Sequence, residues 1–307
     1  QGLGRALLED CVEYIRRQGG PLCLIRSGVH HFYGSVGWDS FGLPALKLDL
    51  SAFPRALLET GGYETRSFEE PHDLWQIAEI HTRYNAGRSL VRQRDGYYWS
   101  HHRTWCVEEA NQDFIVAERE GRVHGYGRMR HGTIAELCYA AGHEKAGLAV
   151  LDALLRLART RRLESMNGAF PVDHVIWRAI EGKAGVEMHT DQYTLLRLVD
   201  LPALFEQTLD SLSARLRQAR LELNQPLTIR CLGQQATLVP RAGYLSLDEP
   251  SSASPCVELS QRQLMELGTG LRGASAVLGG LEDPETETAL NVLFPAGSPI
   301  YWVTDTV

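Results

Sequence analysis

The chain opens on Gln1-Gly2-Leu3-Gly4-Arg5-Ala6, a glycine-rich loop running straight into a stretch with Leu3, Leu7, Leu8, Cys11, Val12 and Ile15 at the spacing of one helical face. Gly19-Gly20 supplies the stop. A helix N-terminus offers unpaired backbone N–H groups and the positive end of the dipole, and glycines there admit a ligand close to the backbone. That combination suits a phosphate. A helix start that merely contains glycine carries the same residues. The histidine pairs His30-His31 and His101-His102 lack His-Glu-x-x-His spacing, and sequence neighbours point in different directions, so no metal is expected. No Gly-x-Ser-x-Gly occurs, which argues against a serine hydrolase.

The bulk properties narrow the class. With 307 residues, 44% hydrophobic and 22% charged, the chain has the composition of an ordinary globular protein of two or three domains. A net charge of −7 argues against a nucleic-acid partner and suits a cationic substrate. The run Arg156, Arg159, Arg161 and Arg162 reads as a solvated helix face and its last turn. Cysteines at 11, 23, 106, 138, 231 and 256 form no Cys-x-x-Cys pair and suggest buried free thiols in a reducing compartment. No apolar run approaches the roughly 18 residues of a membrane span and no signal peptide is seen, so a cytoplasmic protein without membrane association is expected. The chain starts at Gln1, inside the loop, so missing upstream residues are also expected.

The elements that must position these residues follow in order. After the opening helix come a strand at Pro21–Ile25, an aromatic, glycine-rich segment from Ser27 to Gly42, and an alternating strand from Pro44 to Leu50. Gly61 to Pro71 reads as a linker, with a boundary near residue 65. Asp73 is placed to cap a helix bearing Leu74, Ile77 and Ile80. Phe114–Glu118 and Val123–Met129 form a hairpin, Ile134–Tyr139 a third strand, Gly147 opens a long helix, and Gln192–Val199 is a later strand. From Pro202 a long helix precedes strands at Leu227–Cys231, Ala236–Val239 and Tyr244–Leu247. Ser260 is then a plausible cap for the helix Arg262–Leu267.

The spacing carried by Gln1, Gly4 and Ala6 resembles the Gln/Arg-x-x-Gly-x-Gly/Ala coenzyme A pyrophosphate loop of the GCN5-related N-acetyltransferases. Phe32-Tyr33-Gly34-Ser35-Val36-Gly37-Trp38 is similar to that family's aromatic segment. The hairpin, strand, helix and strand after residue 65 repeat the same plan. Where the loop would recur stands Gly142-His143-Glu144-Lys145-Ala146-Gly147, without the motif and with a carboxylate that would repel a pyrophosphate. Two such domains followed by a third that resembles a sterol-carrier-type domain is the layout of the enhanced intracellular survival family. The ending, Leu293-Phe294-Pro295, Pro299-Ile300-Tyr301-Trp302 and Asp305-Thr306-Val307, resembles that family's terminus, except that Val307 stands where a Phe is common.

The resemblance implies an α+β protein. Residues 1–64 would be the C-terminal part of a coenzyme-binding acetyltransferase domain with a mixed central sheet. Residues 65–201 would be a second such domain without coenzyme, and 202–307 the sterol-carrier-like α+β domain. It implies acetyl-coenzyme A bound at Gln1, Gly2, Leu3, Gly4, Arg5 and Ala6, no metal, and direct transfer to an amine of an aminoglycoside-, polyamine- or lysine-like acceptor. Tyr33 would protonate the leaving sulfur, and the terminal carboxylate of Val307 would take the ammonium proton. A Tyr ring packed in the core, and a frayed chain end, are the plain alternatives for those two residues. The oxyanion donor would lie on a strand before the loop. His30, His31, Trp38, Asp39 and Phe41 are candidate acceptor-binding residues, Asp39 as a partner for an ammonium. A hexamer is implied by resemblance only. The rival reading is a non-catalytic protein that holds an apolar ligand in its third domain. A third is an acetyltransferase that regulates a partner protein.

Overall fold

The computed structural model describes residues 2–55, 58–105, 113–248, 255–281 and 283–306. The fold is α+β, with one mixed sheet of eight strands and a second of four. Two compact units share the chain: Gln1–Gly42 with Gln192–Gly297, and Leu43–Asp191 with Ser298–Val307.

In the first unit, α1 (Leu3–Arg17) leads to β1 (Leu22–Arg26) and the short α2 (His30–Gly34). Strand β1 pairs antiparallel with residues 194–198. Of the expected apolar stripe on α1 only Val12 is buried; Leu8 and Ile15 are half-buried, and Leu3, Leu7 and Cys11 face solvent. The reason is the small cluster it packs on, which consists of Cys23, Val36, Trp38, Leu195 and Val199 flanked by Tyr33. The free thiols accordingly differ from expectation: Cys23, Cys138 and Cys231 are buried, while Cys11 and Cys256 are exposed.

The second unit begins within β2 (Asp39–Asp49), whose residues 45–49 pair antiparallel with β7 (Ser165–Ala169). Between them in sequence lie β3 (Glu64–Ser67), α3 (Leu74–Tyr84), α4 (Gly96–Trp105), β4 (Phe114–Arg119), β5 (Arg122–Arg130), β6 (Thr133–Tyr139) and α5 (Glu144–Thr160). Strands β3, β4, β5 and β6 form an antiparallel ladder. Its core holds Val116, Tyr126, Leu137, Val150 and Leu154. Helix α5 starts at Glu144 rather than at Gly147, because Gly142 turns the chain at φ 78° and His143 takes the N-cap. Gly147 serves packing instead: a Cβ there would stand 2.6 Å from the Tyr139 ring. Likewise a Cβ on Gly127 of β5 would stand 2.6 Å from Val150, so the helix lies close on the sheet only because β5 has glycine there. Gly127→Ala should therefore cost about 1–3 kcal/mol of stability by overpacking, read from urea unfolding. Asp73 stands at the N-cap of α3 but makes no capping bond. Its carboxylate accepts from both guanidinium NH groups of Arg66 (2.6 and 2.9 Å) and from Glu69 N–H (2.8 Å). Burial would raise the Asp73 carboxyl, but these donors outweigh it and hold it at about 2.

Strands β6 and β7 are parallel and keep register only at Thr133–Asn167 and Ile134–Gly168, then part. Beyond that point the Leu137 carbonyl is met by a side chain, His174 Nε2 at 3.3 Å. His174 is buried as the N-cap of α6 (Val175–Ile180), with its ring against Phe170 and Tyr139.

The chain returns to the first unit along β8 (Val186–Leu198) and enters α7 (Leu201–Ala219), capped by Asp200 and started by Pro202. The second sheet has the order β11 (Tyr244–Asp248), β10 (Gln234–Arg241), β9 (Leu227–Cys231), β12 (Cys256–Leu259), with β12 parallel to β9. Helices α8 (Gln261–Gly268), α9 (Ala274–Leu278) and α10 (Pro284–Leu293) follow. Ser260 caps α8 in a reciprocal box with Gln263.

Candidate active site

The opening turn is exposed, and Gly2 takes the N-cap in the left-handed region at φ 108°. The first intrahelical bond is Ala6 N–H to Gly2 C=O at 3.1 Å, which leaves the N–H groups of Leu3, Gly4 and Arg5 without helical acceptors. No acidic residue stands in this first turn, whereas α5 carries Glu144 in its own. Arg5 leans down the helix to Glu9 at 3.0 Å. An added Cβ on Gly4 would lie 3.5 Å from the Phe32 ring, an ordinary contact, so Phe32 of α2 borders the loop.

Tyr33 follows, half-buried, edge-on to Phe32 (centroids 5.2 Å apart) and to Trp38 (6.2 Å). The turn after α2 is pinned by Trp38 N–H donating to Tyr33 C=O at 3.1 Å. Trp38 Nε1 and His30 Nδ1 are buried without hydrogen-bond partners among the described residues. Gly4, Phe32, Tyr33 and Trp38 thus form a chain of neighbours, with His30 one turn away on the same short helix. His31 is exposed at its surface. Asp39 is already engaged: its Oδ2 accepts from Gln261 Nε2 at 2.9 Å. Phe41 is 2% exposed and belongs to the core. Gln1 and Val307 lie outside the described residues. Gln261 is a residue that sequence reasoning missed. It is buried, donates also to Gly37 C=O and accepts from Leu198 N–H, so it fixes the Gly37–Asp39 turn. A glutamine on the first turn of a capped helix gave no signal of this.

The second unit has its own polar cluster, around the closing segment. Arg94 forks onto Glu136 (3.0 and 2.7 Å) and also reaches Asp305 Oδ1 (3.0 Å) and Thr304 Oγ1 (2.9 Å). All three charged side chains are fully buried. Tyr98 O–H donates to Asp305 at 2.7 Å, and the hydroxyls of Tyr126 and Thr304 donate to Glu136. Burial opposes the charge on Glu136, but Arg94 outweighs it and holds this carboxyl well below its usual range. Asp305 goes the other way: burial, reinforced by Glu136, raises it despite Arg94. The signal missed in the sequence was Glu136 itself, one carboxylate inside the apolar strand Ile134-Ala-Glu-Leu-Cys.

His81, beside this cluster, is pushed by burial to about 4, and His174 to about 3. Both are neutral in the fold, while the unfolded chain binds protons near the usual 6.5. Their contribution is therefore complete above about pH 6.5 and is lost as pH falls towards 4, at about 3 kcal/mol for His81. Urea midpoints should drop steeply between pH 6.5 and 4.5, and a flat profile would refute the assignment.

Among the described residues no group of three His, Cys, Asp or Glu could hold a metal ion, and no helix is long and apolar enough to cross a membrane.

No family model and no curated protein matches the sequence. Solved structures do. A GCN5-related N-acetyltransferase from Anabaena variabilis superposes with a TM-score of 0.65 at 13% identity, covering 97% of this chain and 76% of that one. One from Kribbella flavida gives 0.62 at 17%, covering 97% and 74%. Eis1 from Mycobacterium abscessus gives 0.58 at 15%, covering 98% and 77%. The likeness is to the GCN5-related N-acetyltransferase fold. At these identities it concerns the fold, and it extends over nearly the whole chain. The acetyltransferase fold expected from Gln1, Gly4 and Ala6 and from the Phe32–Trp38 segment is thus found.

Proposed function

We propose that the chain is an acetyl-coenzyme A-dependent N-acetyltransferase acting on an amine of a cationic acceptor, aminoglycoside-, polyamine- or lysine-like. The observation that carries this is the pairing, within one unit, of an exposed, acid-free helix start at Gly2–Ala6 with Tyr33, whose hydroxyl has no hydrogen-bond partner among the described residues. The N–H groups of Leu3, Gly4 and Arg5 would hold the pyrophosphate. The amine lone pair attacks the thioester carbonyl, the tetrahedral adduct expels the thiolate, and Tyr33 gives the sulfur its proton. The ammonium proton passes to a base, which the resemblance assigns to the Val307 carboxylate.

The unpaired Trp38 Nε1 and His30 Nδ1 support a role for both at the acceptor; His31, Asp39 and Phe41 are read as acceptor-binding residues by resemblance only. Residues 1–64 and 65–201 are read as tandem copies that have exchanged their last strands. This accounts for β1 pairing with residues of β8 and β7 with residues of β2. The second copy is read as a scaffold without coenzyme, because His174 occupies the gap between β6 and β7 and Glu144 opposes a phosphate at α5. Residues 202–307 are read as the sterol-carrier-like domain, and the protein as a cytoplasmic hexamer.

Titration with acetyl-coenzyme A should raise the melting temperature saturably, since a ligand at a hundredfold excess over Kd stabilises by about 2.7 kcal/mol. Gly4→Glu should abolish the shift, as a carboxylate in the first turn repels the pyrophosphate. An undiminished shift in that variant would place the coenzyme elsewhere. The rival reading, an apolar ligand in the third domain, has as its candidate place a cleft of about 660 Å³ in which Leu216, Leu221, Leu223 and Tyr244 alternate with Arg217, Arg220, Glu222 and Arg241. A melting-temperature rise with a fatty acid and none with acetyl-coenzyme A would select it.

A further inference from the structure

We infer that Gln261 is a positioning residue for the proposed transfer: from the first turn of α8 it brackets Trp38 on both sides, and Trp38 is the fixed wall against which the Tyr33 ring stands. The inference rests on the reading of Tyr33 as the acid. The bracket itself is geometry within one compact unit, that of Gln1–Gly42 with Gln192–Gly297.

Tyr33 has little of its own to hold it. It sits in the five-residue α2, which buries no residue and has no side-chain cap. So short a helix has no stability of its own in water, and its place is set by what it is joined to. Tyr33 C=O accepts from Val36 N–H (3.0 Å) and Trp38 N–H (3.1 Å), which closes α2 onto the following turn. With no hydrogen bond to the hydroxyl among the described residues, ring contacts set the direction of the phenol. Of its two edge-on neighbours, Phe32 is 37% exposed and Trp38 only 5%. Trp38 is therefore the anchor.

What anchors Trp38 is one side-chain amide. The indole N–H is buried without a partner among the described residues, so no polar bond of its own fixes the ring. The residues on either side of it are held instead. Gln261 Nε2 donates to Gly37 C=O at 3.2 Å and to Asp39 Oδ2 at 2.9 Å, while its Oε1 accepts from Leu198 N–H of β8 at 2.7 Å. A glutamine amide carries two donor hydrogens and an acceptor oxygen in one plane, and here all three directions are used. Arg197 of the same strand adds a second strut, donating to Val36 C=O at 2.6 Å. Strand β8 also supplies Leu195 to the cluster in which Trp38 packs. The bracket thus ties the turn to the strand that forms the wall behind it. Gln261 is buried and is fixed in turn by the Ser260–Gln263 capping box and by Leu264 and Leu267, buried on the same helix. The segment read as a sterol-carrier-like domain accordingly takes part in the chemistry through one residue, by holding the group that gives the proton.

The test uses the full chain with Gln261→Met and Gln261→Glu, each in the parent and in the Tyr33→Phe background. Gln261→Met removes all three bonds at similar volume. Gln261→Glu keeps the acceptor for Leu198 N–H but turns a carboxylate onto Gly37 C=O and the Asp39 carboxylate, so it frees the turn even where the first variant fails to fold. Amide exchange over residues 36–39, with β9 and β10 as the control for an intact fold, reports the bracket without any assay of activity. Turnover with acetyl-coenzyme A and spermidine at pH 7.5, beside coenzyme affinity, reports the chemistry. The expected result is exchange faster by roughly tenfold in residues 36–39 alone, as local opening becomes cheap. In the parent background kcat should fall by roughly tenfold or more at unchanged coenzyme affinity, because a small misplacement of a reacting group is costly. In the Tyr33→Phe background the same substitutions should lower kcat by less than about twofold, since a residue that acts through Tyr33 has nothing left to position. Unchanged exchange would overturn the bracket. Faster exchange with undiminished kcat, or equal losses in both backgrounds, would overturn the positioning role. A parent without turnover, or one whose kcat survives Tyr33→Phe, would instead overturn the reading of Tyr33 and remove the link to catalysis, with the exchange data still deciding the bracket.

Discussion

Arg94→Met should lower the free energy of unfolding by about 3–5 kcal/mol, the cost of leaving buried carboxylates without their cation. The loss is this large because the substitution strands two groups at once. Glu136 keeps the hydroxyls of Tyr126 and Thr304 but loses both bonds of its fork. Asp305 keeps the Tyr98 hydroxyl and loses its ion pair. Burial then favours their protonated forms, so the loss should shrink in acid. Urea unfolding near pH 7.5 and pH 5 measures both statements: a drop under 1 kcal/mol at pH 7.5 would show that solvent reaches the cluster. Replacing all three charged residues by apolar side chains is expected to recover most of the loss, because a desolvated ion pair competes poorly with well-packed apolar groups of the same volume.

Tyr33→Phe should lower kcat by about 10²- to 10⁴-fold, the usual contribution of a positioned proton donor, and leave the affinity for acetyl-coenzyme A unchanged. The substitution retains the ring and hence its edge-on contacts with Phe32 and Trp38. It removes only a hydroxyl that makes no hydrogen bond among the described residues, so stability should change by less than about 1 kcal/mol. If the coenzyme-induced rise in melting temperature persists while transfer is lost, the defect lies in the chemistry. Equal turnover in parent and variant would return Tyr33 to the role of a packed aromatic.

The glycine loop, the aromatic segment and the order of strands and helices were legible in residues 1–42 and 114–160 because local patterns set them. Glycine at φ 108°, a hairpin turned within Arg119–Arg122 and a Ser260-Gln263 cap all act within a few residues. The same locality explains the misreadings. Asp73 has the type and place of a cap, yet its carboxylate turns to Arg66, and Gly147 looks like a helix start yet makes room for Tyr139. In both cases a partner distant along the chain or on another element offered the stronger interaction.

By itself, then, the sequence determined that a glycine-rich helix start precedes an aromatic turn with a phenol, and that the elements are those of an acetyltransferase-type α+β fold. Only the tertiary structure decided which residues share a compact unit. Strands Asp39–Asp49 and Val186–Leu198 pass from one unit into the other, since a strand pairs wherever its edge is met and not with its neighbours in sequence. It also decided that Arg94, Glu136 and Asp305, spread over more than two hundred residues, meet in one buried cluster. No periodicity announces such a meeting. A buried charge becomes tolerable only through partners that folding brings to it.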